Sequence, residues 1–167
     1  MKLNSRRTIL TGLAFLSICA FWQMYDSVIP LILTKTFHMN ETFSGAIMAA
    51  DNVLALFLLP FFGARSDKTN TKIGKRMPYI LFGTGCAVIL MNLLPLMDNS
   101  YAAAPSGFKT ASFVIVLGLL LIAMGTYRSA AVALMPDLTP KPLRSRANAI
   151  INLMGAVGGI LYLAIAA

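Results

Sequence analysis

The stretch that decides the fold reads Gly63-Ala64-Arg65-Ser66-Asp67-Lys68-Thr69-Asn70-Thr71-Lys72-Ile73-Gly74-Lys75-Arg76-Met77-Pro78-Tyr79. This 63–79 segment is hydrophilic and strongly basic, with five Lys or Arg residues against one Asp, and it lies between two long apolar runs. Short positive loops between hydrophobic spans are retained on the cytoplasmic side of a membrane. The segment therefore predicts a membrane protein and also the side of the membrane on which this loop lies.

The composition indicates the same class. Of the 167 residues, 57% are hydrophobic and 12% are charged, whereas soluble domains carry about 25% charged residues. The charges are confined to short segments, and the apolar runs between them are long enough to cross about 30 Å of hydrocarbon as helices. The net charge of +8 could indicate nucleic-acid binding, but the positive residues lie in the connections between spans. Membrane topology therefore explains the charge, and no nucleic-acid partner is expected.

Five transmembrane helices are predicted, at about residues 8–33, 42–64, 77–97, 110–136 and 147–167. The fold class is therefore an all-α, polytopic transmembrane bundle in a lipid bilayer, because unpaired strand edges are unfavourable in hydrocarbon. With the N-terminus inside, eleven of the 14 Lys and Arg residues lie on the inner side: three before the first span, five in the 63–79 segment and three before the fifth span. Only Lys35 and Lys109 lie outside. This asymmetry predicts a cytoplasmic N-terminus and, we expect, a place in the cell membrane.

The order of residues in the 63–79 segment resembles the loop between helices 2 and 3 of the major facilitator superfamily. The shared pattern is Gly-x-x-Ser-Asp-(Lys/Arg)-Thr-x-Thr-(Lys/Arg)-x-Gly-(Lys/Arg)-Arg-x-Pro. Its longer form is similar to that of the sugar-transporting branch, which includes glycoside–pentoside–hexuronide:cation symporters and sucrose transporters. The resemblance implies an N-terminal part of a twelve-helix transporter, which needs the C-terminal half of the same transporter as its partner. A complete five-helix protein is the alternative.

The resemblance also implies a cytoplasmic gate. Asp67, just past the inner end of the second span, would bond to charged or helix-terminal groups of neighbouring helices, and these bonds would break when the inside opens. A second stretch, residues 135–148, is similar to the loop between helices 4 and 5 and is expected to join the same charge network. A solvated basic loop that only sets topology is the alternative. The residues assigned to the gate are Gly63, Asp67, Lys68, Gly74, Lys75, Arg76, Asp137, Arg144 and Arg146.

Three charged residues lie inside the predicted spans, namely Asp26, Asp51 and Arg128. A charge at membrane depth costs at least about 2.5–3.5 kcal/mol on insertion scales, so each one indicates a function or a partner. At about 1.5 Å per residue, Asp51 and Arg128 lie at similar depths and Asp26 lies closer to the outside. We expect Asp26 or Asp51 to bind sugar hydroxyls or a coupling ion, with Arg128 holding one carboxylate. The alternative is an Asp51–Arg128 pair that only neutralises itself.

Further polar and aromatic residues extend the predicted binding site. Beside Asp26, an aromatic ring and an amide suit a small-molecule sugar, which has an apolar face and a rim of hydroxyls. Trp22 could equally anchor the helix at the outer interface. These additional candidates are Trp22, Gln23, Tyr25, Asn52 and Tyr127.

The coupling ion is left open between a proton, sodium and none. Melibiose-type members carry paired acids on helix 2, and the matching positions here are the apolar Ala55 and Leu59. This departure from the family pattern disfavours sodium coupling of that kind.

Catalytic and metal chemistry have little support in the sequence. Cys19 and Cys86 have no second Cys or His at metal-ligand spacing, so no metal and no cofactor are expected. Membrane enzymes would need His, Cys or acids clustered at one depth, and this chain is not expected to be an enzyme. The leading hypothesis is sugar:cation symport by alternating access. The alternatives are a sugar facilitator without ion coupling and a non-transporting five-helix membrane subunit.

Overall fold

The computed structural model describes the backbone of residues 5–166 and the side chains of residues 8–50 and 52–166. This part of the chain is helical and contains no strand, which confirms the predicted all-α fold class. Five of the helices are long and apolar enough to cross a membrane. They are α1 (Ser5–Lys35), α2 (Glu41–Lys68), α3 (Met77–Ala103), α4 (Gly107–Leu138) and α5 (Arg144–Ala166), and a short 3-10 turn (Lys141–Leu143) precedes α5.

The helices extend beyond the apolar runs that predicted them. The second span is predicted to end near Ala64, but α2 continues for another turn to Lys68. Asp67 therefore lies in the last turn of a helix, and the true connection to α3 is residues 69–76. Basic side chains in a last helical turn interact favourably with its exposed carbonyls, and α2 carries Arg65 and Lys68 there. Hydropathy marks where apolar residues end, whereas hydrogen bonding decides where the helix ends.

Local hydrogen bonds explain where several helices begin and end. Asn40 precedes α2, and its Oδ1 accepts a 3.3 Å hydrogen bond from the backbone N–H of Thr42. Such an N-cap satisfies one of the amides that a helix leaves without a partner. Pro78 lies in the first turn of α3, where its missing N–H is tolerated. At the other end of α3, Lys109 Nζ donates to the carbonyl of Ser100 at 2.6 Å.

The described chain divides into two compact units. The first consists of Met1–Ser27 with Ala131–Ala167, and the second of Val28–Ala130. The first unit has a small apolar core of Met135, Ala147 and Ile151, against which Phe15 packs. In this unit α1 and α5 pack together, which places the polar residues of α1 beside α5.

The second unit holds the remainder of α1, all of α2 and α3, and most of α4. Phe37, after α1, stacks on Tyr101 with ring centroids 4.2 Å apart and lies 4.6 Å from the ring of Phe113. Closer to the middle of the helices, a methyl on Gly83 of α3 would lie 2.9 Å from the backbone nitrogen of Tyr127. Since α3 and α4 touch at backbone level there, the glycine sets their distance.

Candidate functional site

A buried arginine joins the end of α2 to the start of α3. Arg76 immediately precedes α3, and its Nη2 donates to Asp67 Oδ1 at 2.6 Å while its Nη1 donates to Ser66 Oγ at 3.0 Å. Its side chain is 9% exposed, whereas that of Asp67 is 61% exposed. A guanidinium fork is suited to two acceptors at once, and its charge strengthens both bonds. Two predicted gate residues, Asp67 and Arg76, are therefore in direct contact.

Ser66 is part of this cluster, although the sequence analysis did not assign it to the gate. It is fully buried, and its Oγ donates to the carbonyl of Gly63 at 2.8 Å while accepting from Arg76. The chain Arg76–Ser66–Gly63 thus connects the start of α3 to a backbone carbonyl one turn inside α2. Its position next to Asp67 in the sequence could have indicated this role, because a hydroxyl there can accept a hydrogen bond from the same arginine.

A tight turn in the 69–76 connection returns the chain to Asp67. Gly74 has a φ of +112°, which residues with a Cβ rarely adopt. Its N–H donates to the Thr71 carbonyl at 3.0 Å, and Thr71 Oγ1 donates back to the Gly74 carbonyl at 2.6 Å. A second link, 2.9 Å between the hydroxyls of Thr69 and Tyr79, joins the two helix ends. Gly74 is therefore needed for the turn that brings Arg76 to Asp67, whereas Lys68 and Lys75 are exposed.

Helix α4 holds the same end of α2 from another side. Ser129 Oγ donates to the carbonyl of Leu59 at 2.7 Å, and a methyl on Gly63 would lie 3.4 Å from Ser129 Oγ. A methyl at position 63 would therefore be in ordinary van der Waals contact with Ser129, so Gly63 lies beside this helix–helix contact without being required for it. Sequence reasoning missed Ser129 because its partner lies 70 residues away along the chain, and nothing in the local pattern connects them.

The turn before α5 has its own arginine contact. Arg144 Nη2 donates to the Pro136 carbonyl at 2.8 Å and its Nε donates to the Thr139 carbonyl at 3.2 Å. These bonds place a positive charge on the carbonyls at the end of α4, which is favourable at a helix C-terminus. Asp137 and Arg146 are exposed. Because Arg144 and Asp67 belong to different units, the joint charge network stays a prediction.

The candidates on α1 differ in exposure. Asp26 is exposed, Trp22 and Gln23 are half-buried, and Tyr25 is fully buried. The rings of Trp22 and Tyr25 have centroids 6.2 Å apart and are inclined by 46°, a separation at which aromatic rings attract. Gln23, Trp22 and Asp26 are therefore accessible to a ligand here, whereas a sugar contact by Tyr25 would require a rearrangement.

The candidates on α2 and α4 belong to the second unit. Asn52 is exposed, Tyr127 is buried and Arg128 is half-buried. The side chain of Asp51 lies outside the residues that the structure describes, so the Asp51–Arg128 pair stays a prediction. Among the described residues, no three His, Cys, Asp or Glu side chains form a group that could hold a metal ion.

Comparisons with known proteins identify relatives over most of the chain. The family model described as Major Facilitator Superfamily matches residues 11–167. Sucrose transport protein SUC3 of Arabidopsis thaliana is 33% identical over 139 residues, which cover 76% of this chain and 23% of that protein. Sucrose transport protein SUT3 of Oryza sativa subsp. japonica is 28% identical over 170 residues, which cover 91% of this chain and 33% of that protein. The chain thus spans a third or less of the length of these relatives. No solved structure matches it.

Proposed function

This chain belongs to the major facilitator superfamily, and we propose that it supplies helices to a membrane transporter for a sugar that works by alternating access. The observation that carries the sugar assignment is the likeness to sucrose transport proteins over 76–91% of the chain. The α1 residues support it, because Trp22 offers a ring and Gln23 and Asp26 offer hydrogen-bonding groups to a polyhydroxy ligand. The cavity is completed, in this proposal, by further helices of the same transporter.

The cluster around Arg76 is the proposed gate. With Asp67 and Ser66 bonded to Arg76, the ends of α2 and α3 are held together, which suits a closed state at this end of the helices. Opening would separate these ends and break the charge-assisted bonds. The exposed carboxylate of Asp67 is screened by water and therefore can be released at low cost, since exposed ion pairs contribute about 0–1 kcal/mol.

The proposed orientation places this gate and the N-terminus in the cytoplasm, with the protein in the cell membrane. It is supported by the eleven Lys and Arg residues that would lie inside against two outside. Cysteine labelling from the two sides of the membrane would test it at exposed Ile73 in the 69–76 connection and at exposed Phe108 at the start of α4.

Ion coupling is proposed to use a proton. Asp26 and Asp51 are the acids inside the spans that could carry it, and Ala55 and Leu59 replace the paired acids that sodium-coupled melibiose-type members use. A facilitator with the same fold would need no titratable group at membrane depth, whereas this chain retains two. Because acids at membrane depth are energetically costly, their presence favours proton-coupled transport over a facilitator.

Uptake of labelled sucrose and other glycosides into vesicles that contain the complete gene product would test the proposal, with and without a proton gradient. Accumulation driven by the gradient would support proton symport. Equilibration without accumulation would identify a facilitator. Absence of uptake for every sugar tested would refute the sugar assignment while leaving the family membership intact.

A further inference from the structure

Helices α1 and α5 cross at backbone contact within the first unit. A methyl on Gly158 of α5 would overlap the carbonyl oxygen of Leu16 on α1, and a methyl on Gly155 would lie 2.9 Å from Cys19 Sγ. The crossing therefore lies between residues 16–19 of α1 and 155–158 of α5. Here the small residues only set how closely, and in which register, the two helices meet.

Contacts on either side of the crossing fix the direction of the helices. Before it, a methyl on Gly12 of α1 would overlap Met154 of α5. Beyond it, a methyl on Gly159 of α5 would lie 3.8 Å from Gln23 Oε1. Residue numbers rise together on both helices, so α1 and α5 run in the same direction. Since a methyl at Gly159 would be in van der Waals contact with Gln23, the amide of Gln23 lies beside α5.

The register places Tyr162 on the side of α5 that this amide faces. The Gln23 amide lies beside Gly159, and Tyr162 follows Gly159 by three residues. Residues three apart lie on the same side of a helix, about 4.5 Å further along it. Tyr162 is therefore the next large residue on this side of α5 beyond the contact with Gln23. Both are half-buried.

Tyr162 also marks where the close contact ends. The buried positions of α5 repeat along one face as Ala147, Ile151, Gly155 and Gly158, and position 162 continues this face seven residues after Gly155. A tyrosine there is too large for backbone contact between the helices, and its side chain is half-buried.

Asp26 lies three residues beyond Gln23 on α1. Residues three apart are neighbours on one face of a helix, so the carboxylate of Asp26 lies on the same side of α1 as the amide of Gln23. The side chain is exposed.

We propose that Tyr162 is a further substrate-contacting residue and that it forms, with Gln23 and Asp26, one polar wall for a sugar; this rests on the proposed transport function. The three groups are complementary: the amide donates and accepts, the carboxylate accepts, and the phenol donates while its ring covers an apolar face of the sugar. Sites built to bond a substrate hydroxyl discriminate strongly against analogues that lack it. Tyr162 therefore contributes to the choice between sugars.

The first experiment compares wild type with Tyr162→Phe in the complete gene product. We expect the half-saturation concentration for the transported sugar to rise about tenfold, the effect of one lost hydrogen bond, with the maximal rate changed less than about twofold. In wild type, the deoxy sugar that lacks the hydroxyl bonded by Tyr162 should have a higher half-saturation concentration than the parent sugar. In Tyr162→Phe, this difference between the two sugars should disappear. The control is Tyr101→Phe, because that ring stacks on Phe37 in the other unit. An unchanged half-saturation concentration with unchanged penalties would overturn the assignment.

The second experiment does not depend on sugar uptake. In a background with Cys19 and Cys86 replaced by alanine, Tyr162→Cys should react rapidly with a water-soluble maleimide. Leu163→Cys, an exposed apolar residue on a different face of α5, should react slowly because lipid covers it. Equal slow reaction at both positions would overturn the inference even if the protein transports sugar. If position 162 reacts rapidly but the protein takes up no sugar, the proposed transport function is wrong, and the sugar contact that rests on it is overturned as well.

Discussion

Arg76 and Asp67 form a 2.6 Å ion pair in which the cation is nearly buried and the anion is mostly in water. This asymmetry predicts unequal effects of removing either partner. Asp67→Asn should destabilise the protein by about 1 kcal/mol or less, because an exposed carboxylate contributes little and the amide oxygen can still accept. Arg76→Met should cost more, since it removes the bonds to both Asp67 and Ser66 at a buried position, roughly 2–3 kcal/mol. Thermal unfolding of the purified protein in detergent measures both.

The conservative variant Arg76→Lys is the control for charge alone. One ammonium group lacks the planar fork that reaches both acceptors, so this variant should fall between wild type and Arg76→Met. Wild-type stability in Arg76→Lys would contradict the two-acceptor role.

Ser129 should contribute measurably through its 2.7 Å bond to the Leu59 carbonyl. Ser129→Ala is expected to destabilise the protein by about 0.6 kcal/mol, the average for interhelical hydrogen bonds in a membrane protein, and by no more than about 1.7 kcal/mol, the largest such value. Ser112→Ala is the matched control, because its hydroxyl donates within its own helix, to the carbonyl of Phe108. Chemical denaturation in mixed micelles would compare them, and equal stability of the two variants would count against the α2–α4 contact.

Gly74 and Gly85 should respond oppositely to alanine. Gly74→Ala forces a φ of +112° on a residue with a Cβ and should cost about 1–3 kcal/mol. Gly85 lies inside α3 with open space around it, so Gly85→Ala should leave stability unchanged or raise it by up to about 1 kcal/mol through helix propensity. Unfolding temperatures recorded in one detergent would reveal the difference. A harmless Gly74→Ala would show that the turn is not strained.

Adjacent glycines of α5 should behave differently. Gly158→Ala places a methyl into the Leu16 carbonyl and must push α1 and α5 apart, with a cost of about 1–3 kcal/mol for overpacking. Gly159→Ala only brings a methyl to 3.8 Å from Gln23 and should be tolerated. Folded yield and monodispersity after extraction from the membrane would separate them, and equal loss in both would argue against a register with Gly158 at the crossing.

Asp51→Asn tests the proposed coupling site. If Asp51 carries the coupled proton, the variant should lose gradient-driven accumulation almost completely while it still equilibrates sugar across the membrane, because the amide cannot release a proton. Asp98→Asn, an acid near the end of α3, serves as control and should accumulate sugar normally. Undiminished accumulation in Asp51→Asn would remove its coupling role.

Several features of the site were predictable because they depend on local sequence. Glycine at position 74 and the paired charges of Asp67 and Arg76 lie within one short segment, so their proximity needs little knowledge of the fold. Ser66 lies inside the same segment, but the sequence analysis did not assign it to the gate. The extension of α2 to Lys68 was not predicted. The length of an apolar run indicates the part of a helix that lies in the hydrocarbon, and the helix itself can continue beyond it.

The sequence by itself determined that this is a bundle of membrane-spanning helices, because long apolar runs in lipid satisfy their backbone groups as helices when no closed sheet is available. It also determined the location of the charged segment and the residues within it. The tertiary structure decided which helices touch and in which register. The Ser129–Leu59 bond and the crossing of α1 and α5 at Leu16 and Gly158 join residues far apart in the chain. Such contacts depend on how two helix surfaces fit together, which no pattern along one helix specifies.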